Sequence, residues 1–221
     1  MKLLLNALTK FILGIVLVGA MLFLPAWTLD YPYGWLFIAL LFVPMLIVGI
    51  VLFIKTPALL ERRLDSKEKE KSQKGVVALS GLMFPAGFVL SALDFRFGWS
   101  RVPFWLVTVA YLLFLLGYAM YAEVMRENVY LSRTVEVQED QTVISTGLYG
   151  IVRHPMYLAT LFMFLPLPLI LGSLWGLIPF AIYPVIIIIR IANEEKVLTN
   201  ELDGYKEYKT KVKYRLIPFV W

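Results

Sequence analysis

Six apolar runs, at residues 11–29, 35–54, 76–93, 103–122, 155–172 and 174–191, decide what this chain is able to fold into. The hydrocarbon core of a bilayer is about 30 Å thick and takes roughly 17 to 25 apolar residues per helix, so each run suits one crossing. Backbone groups inside hydrocarbon must satisfy one another, and uninterrupted apolar runs do this as helices. The expected fold is an all-α integral membrane protein with about six transmembrane helices. Its composition agrees: 60% of the 221 residues are hydrophobic and 17% charged, with a mean hydropathy of +0.75, outside the range of soluble domains. The first run follows Lys2 and Lys10 as a signal sequence would, but no small-x-small cleavage site follows Trp27, so it reads as a retained anchor.

Charge placement tests this map independently, because lysine and arginine avoid translocated loops. All of the 21 lysines and arginines except Arg96 and Arg101 fall at the amino end, in the 55–75 loop, in the 123–153 segment, or from Arg190 onward. Six crossings with both termini and those loops in the cytoplasm fit that partition. The net charge of +5 then reflects topology and contact with anionic lipid, with no case for nucleic acid. The chain has no cysteine and one histidine, which excludes disulfides, thiolate metal sites, a cysteine nucleophile and a histidine-rich metal centre. The mixed charges of the 55–75 loop read as a solvated connector without chemistry.

The two halves differ in character. Residues 1–122 form four nearly uncharged runs and read as a transmembrane scaffold. Residues 123–221 read as the catalytic region, with two runs broken by Pro166, Pro168, Pro179 and Pro184. Such breaks fit either a polar cavity between the last two helices or kinks that serve packing. Ahead of them, "TVEVQ" (134–138) alternates as an exposed strand does, and "STG" (145–147) signals a turn.

"RHPMY" (153–157) holds the single histidine. Pro155 suits the first position of a helix, and His154 before it leans toward extended geometry. A helix amino end favours a carboxylate or another anion, and Arg153 would strengthen that field. The alternative is that Arg153, His154 and Tyr157 only anchor the helix at the interface. In "RIANEE" (190–195), Arg190 and Glu194 are four apart on one helix face. They read either as an intrahelical salt bridge or as charges kept at the membrane edge for a ligand that carries both signs.

"QTVISTGLYGIVRHPMY", an apolar hairpin, "RIANEEKVL", "YKEY" and a final "LIP" together resemble the isoprenylcysteine carboxyl methyltransferase family, which is similar to membrane phospholipid N-methyltransferases. The resemblance covers roughly residues 130–218. It implies an S-adenosylmethionine pocket open to the cytosol, with a lipid-like or prenylated acceptor entering from the membrane. By the same resemblance, Gln141, Thr142, Val143, Ile144, Tyr149, His154, Pro155, Met156 and Tyr157 line the cofactor pocket. Glu194 holds the cofactor and Arg190 orients the acceptor carboxylate. Two departures stand out: Ala159 occupies a glycine position of the family pattern, and the stretch between "EE" and "YKEY" is one residue shorter.

The chemistry fits these residue types. The cofactor's ammonium suits Glu194, its carboxylate suits a helix amino end, and its sulfonium suits the faces of Tyr149 or Tyr157. Methyl transfer to a carboxylate needs alignment and desolvation but no general base, whereas an amine acceptor would benefit from a carboxylate such as Glu195 or Glu201. The expected activity is a membrane methyltransferase acting on a lipid-like carboxylate. The alternatives are N-methylation of a phospholipid or small amphiphile, a nicotinamide-dependent membrane reductase, and a non-catalytic membrane scaffold.

Overall fold

The computed structural model describes residues 2–64, 71–132 and 137–221, and the side chains of all of these except 71–74, 76 and 77. Helices α1 (Lys2–Ala26), α2 (Pro32–Lys55), α4 (Lys71–Phe97) and α5 (Phe104–Glu127) are long, and the short α3 (Pro57–Leu64) follows α2. Beyond a 3₁₀ turn at Gly147–Gly150 come α6 (Pro155–Phe164), α7 (Leu167–Ile170), α8 (Leu177–Phe180), α9 (Tyr183–Glu201) and α10 (Tyr205–Lys211). No strand occurs among the described residues. The strand expected at "TVEVQ" falls on residues 134–136, outside the described residues, while Val137 and Gln138 lie in irregular chain. The turn expected at "STG" is present, with Gly147 at φ 56°, a left-handed conformation that glycine adopts without strain.

Five helices are long and apolar enough to cross a membrane, within Lys2–Ala26, Pro32–Lys55, Ala78–Phe97, Phe104–Glu127 and Leu177–Glu201. The expected span 155–172 is shorter in the structure, an apolar pair over Pro155–Ile170 interrupted where Pro166 and Pro168 remove helical donors. The last span is longer than expected. Helix α9 continues through "RIANEEKVL", which places Arg190 and Glu194 in mid-helix. Many large apolar side chains on α1 and α2 face outward, among them Leu5, Ile12, Val16, Leu36 and Ile47, as lipid-facing surfaces do.

Helix α1 packs on α4 and α2, α5 runs along α6 and α7, and α4 meets α8 and α9. The core is rich in rings. Phe84 stands edge-on to Phe164 at 5.0 Å and to Phe180 at 5.5 Å, geometries that favour aromatic pairs beyond their area alone. Gly117 of α5 lets α6 come close: a Cβ there would sit 2.8 Å from the Ala159 carbonyl and 2.6 Å from Met163 Cγ. Ala159 is fully buried in this crossing, so the residue at the family's glycine position fills a helix contact.

The bundle has two distinct ends. At one, the Lys10 Nζ donates to the Leu64 carbonyl at 2.5 Å, joining the amino end to α3. At the other, the Tyr31 hydroxyl donates to the Leu171 carbonyl, and Asp94 gathers three donors. Ser100 N donates to its Oδ1 at 2.7 Å, and the hydroxyls of Ser100 and Ser173 donate to its Oδ2 at 2.5 Å each. These contacts tie the α7–α8 turn to the α4–α5 loop, so the tip of the short hairpin reaches the same end of the bundle as that loop. The proline breaks therefore serve packing at this end, with Leu167, Pro168 and Ile170 buried. Asp94→Ala would strand buried hydroxyls at about 1 to 3 kcal/mol per unsatisfied group. We expect a clear fall in thermal unfolding temperature in detergent, and a smaller one for Asp94→Asn, which keeps an acceptor.

Candidate functional site

A cavity opens at the end of the bundle where α6 begins, walled by α9, α10, the start of α6 and the chain from Asn128 to Tyr149. Pro155 occupies the first turn of α6 and is buried. It sets the start of the helix and is absent from the cavity wall. Every other residue to which the resemblance gives a cofactor or acceptor role lines the cavity: Gln141, Thr142, Val143, Ile144, Tyr149, His154, Met156, Tyr157, Arg190 and Glu194, whereas Glu195 and Glu201 do not.

The charged residues divide into two sets. Arg153 is buried and fully engaged. Its Nε donates to Glu195 Oε1 at 2.7 Å, and one terminal nitrogen donates to the carbonyls of Val212 and Lys213 at 2.8 Å each. Glu195, 4% exposed, also accepts from Arg215 Nε at 3.1 Å and lies 3.3 Å from His154 Nε2. Arg153 therefore does not snorkel: it is one half of a buried ion pair on the cavity wall. Glu195 is likewise no free base, since its two oxygens already serve Arg153, Arg215 and His154. The backbone completes this knot, with Arg153 N donating to Tyr214 O and His154 N to Arg215 O. The tail therefore lies directly across "RH".

The second set faces the cavity. The Tyr157 hydroxyl donates to Glu194 Oε2 at 2.5 Å and accepts from Arg190 Nε at 2.9 Å. A phenol thus bridges the two charges, a partner that their spacing of four along the helix does not reveal. Tyr157 is buried, unlike a side chain that only anchors the helix at the interface. Glu194 keeps a 23% exposed side chain, and its Oε1 is 3.9 Å from His154 Nδ1. The His154 ring is tilted against Tyr157 with centroids 5.8 Å apart.

Two further tyrosines frame the cavity. The Tyr208 hydroxyl donates to the Tyr149 carbonyl at 2.7 Å, and Asn128 Nδ2 donates to the Tyr149 hydroxyl at 2.8 Å. Burial pushes the Tyr149 phenol up to about 12, so it stays protonated near neutrality. Asn128, Tyr205 and Tyr208 were not singled out in the sequence for a site role. "YKEY" places Tyr205 and Tyr208 on one face of α10, but that spacing alone does not distinguish a site from a packed helix.

The 55–75 loop contributes more than a solvated connector. Leu59 of α3 packs with Val124, Met125, Leu131 and Tyr149. One Arg62 terminal nitrogen donates to Val129 O at 2.9 Å and to Gln138 Oε1 at 2.5 Å. Gln138 in turn donates from its side chain to Tyr130 O and from its backbone to Gln141 Oε1. Arg62 thereby fixes the chain that carries the cavity wall. One arginine in a charged run gives no sign of this. Among the described residues, no group of three or more histidine, aspartate or glutamate side chains is arranged to hold a metal.

The chain matches no curated protein. Residues 105–204, from α5 through α9, match the family model described as phospholipid methyltransferase, a family related to the isoprenylcysteine carboxyl methyltransferases. The segment that builds most of the cavity is therefore similar to membrane methyltransferases that act on lipid-like substrates.

Proposed function

We propose that this protein transfers the methyl group of S-adenosylmethionine to the carboxylate of a lipid-like acceptor of the isoprenylcysteine kind. The observation that carries this reading is the Arg190–Tyr157–Glu194 bridge, which sets a cation and a carboxylate side by side on one cavity wall. The residues present suit the cofactor. Glu194 offers a partly exposed carboxylate to an ammonium, and Tyr149 and Tyr157 offer ring faces to a sulfonium. Val143, Ile144, Leu198 and Leu202 provide apolar wall for a purine.

Bound there, S-adenosylmethionine supplies a methyl group on a sulfonium that is already electrophilic. The protein's part is to align and to exclude water. Arg190 holds the acceptor anion through the donors of its planar guanidinium, and Tyr157 fixes the orientation of Arg190. A carboxylate acceptor arrives deprotonated, so no side chain has to take up a proton.

The family match favours a second reading, methylation of a phospholipid amine, in which Arg190 would grip the headgroup phosphate. That reaction needs a base, and Glu195 is held in ion pairs. Incubation of the purified protein with methyl-labelled cofactor, beside a farnesylcysteine derivative and phosphatidylethanolamine, separates the two. The first reading predicts label released as methanol by mild alkali, the mark of a methyl ester. Alkali-stable label in phosphatidylethanolamine alone would establish the second.

Orientation follows from charge. The cavity end carries the amino end, α3 and the tail, so the positive-inside rule assigns it to the cytoplasm. The chain lacks cysteine, so single cysteines at Arg101 and Lys206, both exposed, report sidedness cleanly. An impermeant thiol reagent outside intact cells is expected to label the Arg101 site and spare Lys206; the opposite pattern overturns the assignment.

A further inference from the structure

Among the described residues, three buried side-chain hydroxyls have no hydrogen-bond partner: those of Ser91, Tyr111 and Tyr205. Tyr205 is the one of the three that lines the cavity. It is 3% exposed, and its ring packs with Leu202, Tyr208 and Val212, so α10 holds it firmly. The neighbouring Tyr208 offers a built-in comparison. The two rings lie 5.7 Å apart, and the Tyr208 hydroxyl has its acceptor, the Tyr149 carbonyl. Leaving a buried donor unmatched is unfavourable, and such groups are rare unless something else satisfies them.

The electrostatic surroundings say what that something is. Burial raises the Tyr205 phenol well above its ordinary range, and the nearby carboxylates of Glu195 and Glu194 raise it further. The hydroxyl therefore remains a donor in want of an acceptor, on a residue that shares the cavity lining with Glu194. Arg153, which also lines the cavity, acts on it in the opposite sense and offsets part of the negative field that an incoming anion would meet.

We propose that the Tyr205 hydroxyl donates to the carboxylate of the cofactor's amino-acid end, while Glu194 receives the ammonium of the same group. This rests on the reading of the cavity as an S-adenosylmethionine site. It adds a specificity contact from α10, beyond the 105–204 segment that the family model matches, and divides the zwitterion between two elements of the chain.

Tyr205→Phe removes the hydroxyl and keeps the packing. The test is calorimetric titration of wild type and Tyr205→Phe with S-adenosylhomocysteine and with 5′-methylthioadenosine, which lacks the amino-acid end. Unfolding of the ligand-free proteins is measured beside it. We expect S-adenosylhomocysteine affinity to fall roughly ten- to a hundredfold in the variant, the range for a lost hydrogen bond to a charged group, with 5′-methylthioadenosine affinity unchanged. Ligand-free Tyr205→Phe should unfold at the same temperature as wild type or higher, since it loses no internal partner, whereas Tyr208→Phe should unfold lower. If wild type binds S-adenosylhomocysteine and Tyr205→Phe binds it equally, the proposal falls and the cofactor site stands. Equal loss toward both ligands overturns the assignment to the amino-acid end, and a destabilised ligand-free Tyr205→Phe shows that the hydroxyl serves the fold. Absence of binding to wild type removes the cofactor reading and this contact together.

Discussion

Replacing Glu195 with alanine is expected to be the most damaging single change to the fold, costing about 3 to 5 kcal/mol. The Arg153 guanidinium would keep its place, 6% exposed at the side chain, with no counter-charge. Removing one partner of a buried ion pair leaves an uncompensated charge in a medium that solvates it poorly. The damage spreads, because Glu195 also engages Arg215 and His154, and Arg153 holds the Val212 and Lys213 carbonyls. The tail should come loose from the start of α6. Thermal unfolding in detergent and protease sensitivity of the segment after Val212 are the readouts. Glu195→Gln should lose less, since its amide oxygen still accepts. Wild-type unfolding in Glu195→Ala would show that the knot contributes little.

Much of this architecture is legible in the sequence, because long apolar runs and basic loops report bilayer physics directly. Helices α1, α2, α4 and α5, the start of α6 at Pro155 and the turn at Gly147 follow from run length, proline chemistry and a "STG" signal. The cavity wall is legible through the resemblance, which brings Gln141 and Arg190 to one place although 48 positions separate them. What escapes is long-range pairing. Glu194 and Glu195 are adjacent and alike in sequence, yet helix rotation turns one toward the cavity and the other into the tail. Tyr157 between Arg190 and Glu194, Arg62 on the 129–138 chain, and Asp94 among serines depend likewise on which helices meet. The proline breaks leave two readings open for the same reason: they signal interrupted helices, and only packing shows that the interruptions lie at the end away from the cavity.

The Arg190–Tyr157–Glu194 bridge gives the largest expected functional effect. Glu194→Ala should abolish cofactor binding, or reduce it to the edge of detection, by removing the carboxylate that meets the ligand's ammonium. Arg190→Ala should bind cofactor within a few-fold of wild type yet transfer methyl groups poorly, with the loss in the acceptor's kinetic terms. Arg190→Lys should recover part of the activity, since a point charge cannot reproduce a two-pronged grip on an anion. Tyr157→Phe removes the bridge but neither charge. Its effect should reach both readouts moderately, because Glu194 loses a donor and Arg190 an acceptor. If Arg190 and Glu194 merely paired at the membrane edge, each alanine variant would change stability by only about 0.3 to 0.5 kcal/mol and leave binding alone. Equal loss of cofactor binding in both would make Arg190 a cofactor residue and remove the support for an anionic acceptor.

Calorimetric titration of the purified protein with S-adenosylhomocysteine, beside the same titration with a reduced nicotinamide dinucleotide, tests the central claim most directly. The cavity geometry predicts binding of one S-adenosylhomocysteine per chain, its loss in a Glu194→Ala protein that is still folded at the titration temperature, and no heat from the nicotinamide ligand. Saturable nicotinamide binding without S-adenosylhomocysteine binding would contradict it, as would S-adenosylhomocysteine affinity that survives Glu194→Ala intact.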